Sequence, residues 1–237
     1  MPEFNSMQRK RVVSETLTVM FVDLVEYTKT TTTLTREHID QLLSAFETLP
    51  VPVINRYGGT LVKKIGDALL ITFKSPTDAV LCGIALQHTF RRYNITNRLR
   101  HPLRIRVAIH AGEVLRRNND IFGDAVNATS RIEEMAKPGQ VVFSDAVFSA
   151  MNKNEIPFVP LGWQQLRGLK YPIRLFRVKT REDEIFQRRQ KIKAVIKKIV
   201  AIAIVIILVF LLGHYLWVNF GLSPQMEEAI ENFTSIS

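Results

Sequence analysis

The stretch TLVKKIGDALLITF, residues 60–73, decides the reading of the fold. Two β-prone runs, Thr60–Ile65 and Ala68–Phe73, flank Gly66-Asp67, and a link of two such residues predicts a hairpin with a tight turn. Upstream, residues 17–23 are apolar and β-prone. A helical pattern then runs from Thr35 to about Asn55, bent if Pro50 and Pro52 lie inside it, and Gly58-Gly59 stops it. Downstream, Ser75-Pro76 offers an N-cap and first turn for a helix over residues 75–92. Residues 103–111 follow as a strand, and residues 122–136 as a helix ended by Pro138-Gly139. Val141–Ser144 starts another strand, and residues 163–178 read as a closing hairpin.

The order β-α-β-β-α-β, with additions, predicts an α+β domain of ferredoxin-like arrangement. At 237 residues there is room for one ordinary domain and an appendage. The appendage is legible. Residues 199–220 (IVAIAIVIILVFLLGHYLWVNF) contain no Asp, Glu, Lys or Arg. As a helix they extend roughly 33 Å, enough for a hydrocarbon core of about 30 Å. Arg188, Arg189, Lys191, Lys193, Lys197 and Lys198 precede this span, and Glu227, Glu228 and Glu231 follow it. The positive-inside rule therefore expects a single-pass protein of the inner (plasma) membrane with everything before Ile199 in the cytoplasm. The expected organisation is a vector-derived leader over residues 1–7 and a folded domain over 8–180. A basic juxtamembrane helix over 181–198, a transmembrane helix over 199–220 and a short extracytoplasmic tail over 221–237 complete it.

Net charge is +10. Seven basic and three acidic residues fall between Arg181 and Lys198, with smaller basic clusters at residues 9–11 and 91–106. Neither aromatic-interleaved basic stripes nor zinc-knuckle spacing accompanies them, so the expected partner is a lipid bilayer and not nucleic acid. One cysteine, Cys82, permits no intrachain disulfide, and its apolar helical surroundings read as a buried inert thiol.

Six polar residues carry the chemistry: Asp23, Lys63, Asp67, Asp120, Asn127 and Arg131. Asp23 ends an apolar strand where the backbone turns toward a helix, and a carboxylate beside helix amides suits a magnesium ion and phosphate together. Asp67 sits at the hairpin tip; antiparallel pairing of the first strand with the hairpin would bring both carboxylates to one end of the sheet. Two carboxylates there can bridge two divalent ions. Asn127 and Arg131, four apart on one helix, share a face and form a donor pair for charge developing on phosphorus. Taken singly, each has a plainer reading. Asp23 can be a helix N-cap, Asp67 a turn residue satisfying its own backbone, and Lys63 and Asp120 surface charges; Arg131 can pair with Glu134 or Glu133. His110, on a strand, reads as structural.

Together these stretches make the chain resemble a class III nucleotidyl cyclase catalytic domain, the family of adenylyl and guanylyl cyclases. The resemblance rests on FVDLVEYT (21–28), Gly58-Gly59 through KKIGD (63–67) to Phe73, RVAIHAGEV (106–114) and DIFGDAVNATSRIEEMAKPGQVVFS (120–144). It covers about residues 17–178. It implies that Asp23 and Asp67, with the Leu24 carbonyl, bind two Mg2+ or Mn2+ ions per site. Lys63 and Asp120 match the positions that read adenine, Asn127 the residue that orients the ribose, and Arg131 the one that stabilises the transition state. Lys170 matches the γ-phosphate ligand, in a register where Arg167 competes. Family members form head-to-tail dimers, with the metal aspartates from one protomer and the other four residues from its partner. The implied function is therefore a homodimeric adenylate cyclase making 3′,5′-cyclic AMP and pyrophosphate from ATP, open to an unidentified membrane regulator. Two rivals are a guanylate cyclase and a silent dimeric nucleotide-binding module. Adenine presents a donor and an acceptor that an ammonium–carboxylate pair complements, which favours ATP over GTP.

Overall fold

A computed structural model describes residues 13–25 and 35–220. The expected leader, the turn beyond Val25 and the tail over 221–237 lie outside the described residues. The chain divides into two units, one ending at Thr180 and the other beginning at Arg181.

The first unit is built on one mixed sheet of eight strands: β1 (Val13–Val25), β2 (Thr60–Ile65), β3 (Ala68–Phe73), β4 (Arg104–Arg117), β5 (Asp120–Phe122), β6 (Val141–Ser144), β7 (Phe158–Gln164) and β8 (Ile173–Val178). Their order is β2-β3-β1-β4-β6-β8-β7, with β5 paired to β4 beyond that path. The helices of this unit are α1 (Arg36–Thr48), α2 (Pro50–Arg56), α3 (Pro76–Thr96), α4 (Asp124–Met135) and α5 (Asp145–Ala150). The first four strands and their helices reproduce the predicted β-α-β-β-α-β arrangement. The rest are its additions.

β1 organises the sheet because both of its edges are paired. It runs antiparallel to β3 and, over its whole length, antiparallel to β4. Residues 17–24 are buried without interruption, as a strand covered on both faces requires. Alternation along β1 then sorts the core. Met20, Val22 and Leu24 face a cluster with Phe46 of α1, Ile54 of α2, Leu86 and Phe90 of α3 and Val147 of α5. Leu17, Val19 and Phe21 face the other way, against Ala125 of α4. Asp23 shares the parity of that second face.

Local chemistry explains the boundaries. Pro50 cannot donate the backbone bond that would continue α1, so the predicted single helix becomes two, α1 and α2, broken at Leu49. α2 ends in a Schellman motif: Gly58 takes φ of +67°, its N–H donates to the Asn55 carbonyl at 3.1 Å, and the Gly59 N–H donates to the Ile54 carbonyl at 2.9 Å. Ser75 caps α3 by accepting the Asp78 N–H at 3.2 Å, as expected. The strand predicted over 103–111 runs on to Arg117, where Asn118 and Asn119 both take positive φ. Such a pair forms a primed turn, which folds the chain back as β5 and delays α4 to Asp124. α5, capped by Ser144, and the earlier start of β7 at Phe158 are further additions to the reading. Cys82 is buried in the core, and burial pushes its thiol up to about 12, so it is inert as expected.

The second unit carries α6 (Arg181–Phe220), a single helix long and apolar enough to cross a membrane.

Gly59 packs flat against its neighbours: an added Cβ would stand 2.5 Å from Phe73 Cε1 and 2.9 Å from Ile54 Cγ2. Gly59→Ala is expected to destabilise the fold by about 1–3 kcal/mol, measured by urea unfolding. An unchanged midpoint would show that the Phe73 ring yields freely.

Candidate active site

The register of β1 against β4 sets Asp23 directly opposite Arg106. Arg106 Nε donates to Asp23 Oδ2 at 2.7 Å, and its Nη2 reaches the same oxygen at 2.7 Å. Nη2 also stands 2.5 Å from Glu133 Oε1 on α4. That contact lies off the hydrogen-bonding direction, so the buried Glu133 oxygen has a charged neighbour without an aligned donor. Asp23 and Glu133 are both well covered, with side chains 8% and 13% exposed.

Asp67 joins this group through the hairpin. Gly66 takes φ of +60° at the first central position of the tight turn, and β3 returns alongside β1 with Ala68 opposite Asp23. The Leu24 N–H donates to the Asp67 carbonyl at 3.1 Å, clamping the turn to the end of β1. Both carboxylates thus meet at one end of the sheet. Burial pushes the Asp23 carboxyl up from its ordinary value against the pull of Arg106, and the charge of Asp67 adds to the rise. Burial first, and then the charge of Asp23, raise Glu133 to about 7. Among the described residues no three such side chains stand close enough to hold a metal ion by themselves; Asp23 and Asp67 offer two carboxylates of the kind hard divalent cations take. Arg106 and Glu133 are the residues that sequence reasoning missed; Arg106 stands in a quoted motif, but only the β1–β4 register reveals its partner.

A second cluster forms where β5 meets β2. Lys63 Nζ donates to Asp120 Oδ2 at 2.6 Å across 57 residues of sequence, and lies 5.5 Å from the centre of the Phe122 ring. The Ile121 N–H donates to Asp120 Oδ1 at 2.8 Å. The Lys63 hydrogen bond, with help from that amide, holds the Asp120 carboxyl below its ordinary value. Phe122, 49% exposed beside the pair, offers an apolar surface that the sequence did not single out. Its signal was there in Asn118-Asn119, whose turn creates β5.

Asn127 and Arg131 lie one turn apart on α4 as predicted, but away from its packed side. Ala125, Ala128, Thr129 and Ile132 are buried, while Asn127 is exposed. Arg131 pairs with Glu134 on its own helix, the plainer reading of that residue. Lys170 and Arg167 are exposed in the turn between β7 and β8, with Lys170 Nζ 5.3 Å from the Tyr171 ring centre. His110 donates or accepts through Nδ1 to Ser144 Oγ at 2.8 Å, and burial lowers its pKa. This supports the helix cap at Ser144 and confirms a structural part.

Residues 10–180 match the family described as adenylate and guanylate cyclase catalytic domain. The chain belongs to that family. Among curated relatives, this cyclase domain is 37% identical over 166 residues to the serine/threonine-protein kinase pkn2 of Myxococcus xanthus, covering 70% of this chain and 20% of that protein. It is 29% identical over 136 residues to putative adenylate cyclase 3 of Rhizobium meliloti, covering 57% of this chain and 23% of that protein. The chain thus spans about a fifth of the length of these relatives. The structure of the adenylyl cyclase CyaB from P. aeruginosa superposes with a TM-score of 0.64 at 24% identity, over 73% of this chain and 98% of that one. The guanylyl cyclase Cya2 superposes with a TM-score of 0.63 at 26% identity, over 70% and 93%. Because one fold serves both bases, individual side chains must decide between them.

Glu133 has a consequence for the metal-free protein. Its folded pKa of about 7 stands above the ordinary 4.5, so the folded state holds this proton more firmly across that window. The stability contributed is complete below pH 4.5 and lost as pH rises through 7. Glu133→Gln is expected to lose less stability than wild type between pH 5 and 8, read by thermal melting in EDTA. Parallel curves would place the proton elsewhere.

Proposed function

We propose that the chain is a membrane-anchored adenylate cyclase that converts ATP into 3′,5′-cyclic AMP and pyrophosphate in sites shared between two copies. The observation that carries the choice of ATP is the Lys63–Asp120 pair, held at 2.6 Å beside Phe122. The ammonium can donate to adenine N1 while the carboxylate accepts from the exocyclic amine. Guanine presents the opposite pattern at that edge, and Phe122 gives either base a ring to rest against.

In this reading Asp23 and Asp67, with the Leu24 carbonyl, hold two Mg2+ or Mn2+ ions per site. When bound, the ions supply charge neutralisation for the triphosphate and acidify the ribose 3′-hydroxyl. The ribose 3′-hydroxyl gives its proton to water, its oxygen bonds to the α-phosphorus, the bond from that phosphorus to the bridging oxygen breaks, and pyrophosphate leaves with that oxygen. Asn127 orients the ribose, and Arg131 neutralises charge that grows on the α-phosphate oxygens. Arg106, paired with Asp23 and beside Glu133, would help to balance the charge of these carboxylates next to a bound triphosphate. Lys170 is assigned to the γ-phosphate, with Arg167 in the same turn as its competitor.

The packing of α4 supports sharing between copies. Asn127 and Arg131 project from the side of the helix turned away from its own sheet, so a second copy is what brings them to a pair of metal-binding aspartates. The apolar span in α6, preceded by basic and followed by acidic residues, supports a single-pass anchor in the inner (plasma) membrane with the catalytic domain in the cytoplasm. The same span is open to a membrane partner that regulates the enzyme.

Arg131→Ala is expected to cut turnover by roughly 100-fold or more, as loss of an oxyanion-type donor does. Turnover like wild type would remove Arg131 from the reaction. Lys63→Glu together with Asp120→Cys should depress ATP use relative to GTP; unchanged ATP turnover would show that this pair does not read the base, and preference of the wild type for GTP would favour a guanylate cyclase.

A further inference from the structure

Residues 79–112 contain six arginines and no aspartate or glutamate. Arg106 belongs to the active-site cluster. Arg91, Arg92, Arg98 and Arg100 do not: all four are exposed at the C-terminal end of α3 and in the loop that follows, and among the described residues no carboxylate pairs with them. Ile95 stands among them, 69% exposed. Arg91 and Ile95, four apart, share one face of α3, and Arg98 follows just past its end. Leu81 and Ile84 continue the apolar strip along the floor of an open groove rimmed by His88, Arg91 and Arg92.

This arrangement is rigidly held. Asn94 Nδ2 donates to the Leu103 carbonyl at 2.8 Å, and the Leu103 N–H donates back to Asn94 Oδ1 at 2.9 Å. The loop is thereby pinned to the helix. Arg98 takes φ of +48°, and the Leu99 N–H closes on the Asn94 carbonyl at 3.2 Å.

We propose that this end of α3 and its loop form a docking surface for anionic lipid headgroups. Arginine forks bind phosphate oxygens in pairs, and an apolar side chain ringed by cations suits a layer of headgroups above hydrocarbon. A nucleic-acid backbone would supply the phosphates but leave Ile95 against charge. Strand registers add a second argument. Val107 pairs with Val141 and Val142 with Arg177, so β8 ends at the same edge of the sheet at which β4 begins. The chain therefore leaves the catalytic domain for α6 at the end of the sheet that carries the arginine loop. α3 covers the face of β1 opposite to Asp23 and α4.

The inference rests on the membrane reading of α6 for its tether, and the test separates the two. Thr96→Cys places one reactive thiol in the patch, because Cys82 is buried. The full chain, labelled there with an environment-sensitive fluorophore, is reconstituted in nanodiscs of neutral phosphatidylcholine or of the same lipid with phosphatidylglycerol. Quenching by a headgroup-depth quencher is expected only with phosphatidylglycerol, and is expected to be reversed by 0.5 M salt as headgroup screening requires. Reversal of Arg91, Arg92, Arg98 and Arg100 to Glu should abolish it and leave ATP turnover in detergent unchanged. Co-elution with the nanodiscs but equal quenching in both lipids, or none in either, would overturn the surface while leaving the span intact. A chain that fails to enter nanodiscs would sink the span; sedimentation with vesicles of both compositions then decides the patch, and equal binding to the two overturns it. Protection of the label by duplex nucleic acid, with none from anionic vesicles, would assign the patch to that partner instead.

Discussion

The antiparallel contact between β1 and β4 is the constraint on which the remaining structure depends. It places Asp23 opposite Arg106 and thereby sets a buried carboxylate against a guanidinium at the end of the central strand pair. A shift of one residue would turn Asp23 toward the apolar side with Met20 and Val22, where no cation waits. The same register decides where β3 and its turn can lie, because β1 has β3 on its other edge. Asp67 reaches the site for that reason.

Asp23 and Glu133 both stand against Arg106, and the charge of Asp67 acts on Asp23 from the hairpin. Like charges gathered in a half-buried place repel, and the guanidinium offsets part of that repulsion while burial raises the carboxyl pKa values. In the polar pair of Lys63 and Asp120 each group satisfies the other.

Much of the fold was legible before the structure. The hairpin at Gly66-Asp67 was found to the residue, because strand propensity and turn chemistry agree there. The cap at Ser75 was equally local. The break at Pro50 and the hairpin at Asn118-Asn119 were coded by equally local chemistry; the break was left conditional and the turn went unread. The six site residues were legible as types, and the structure brought Asp23 to Asp67 and Lys63 to Asp120. It left Asn127 and Arg131 on the outer side of α4, apart from both clusters.

By itself the sequence determined the order of the β-α-β-β-α-β core, the apolar span, the positions of the carboxylates and the spacing of Asn127 and Arg131. Those features depend on neighbours within a few residues, where period, turn type and charge speak directly. Only the tertiary structure decided that Arg106 is the partner of Asp23, that Glu133 completes the group, and that Phe122 lies beside Lys63. These are contacts between residues 59 and 83 positions apart, or between a helix and the strand beneath it. They exist because sheet register and helix packing bring distant segments into one place, and no local pattern encodes a register.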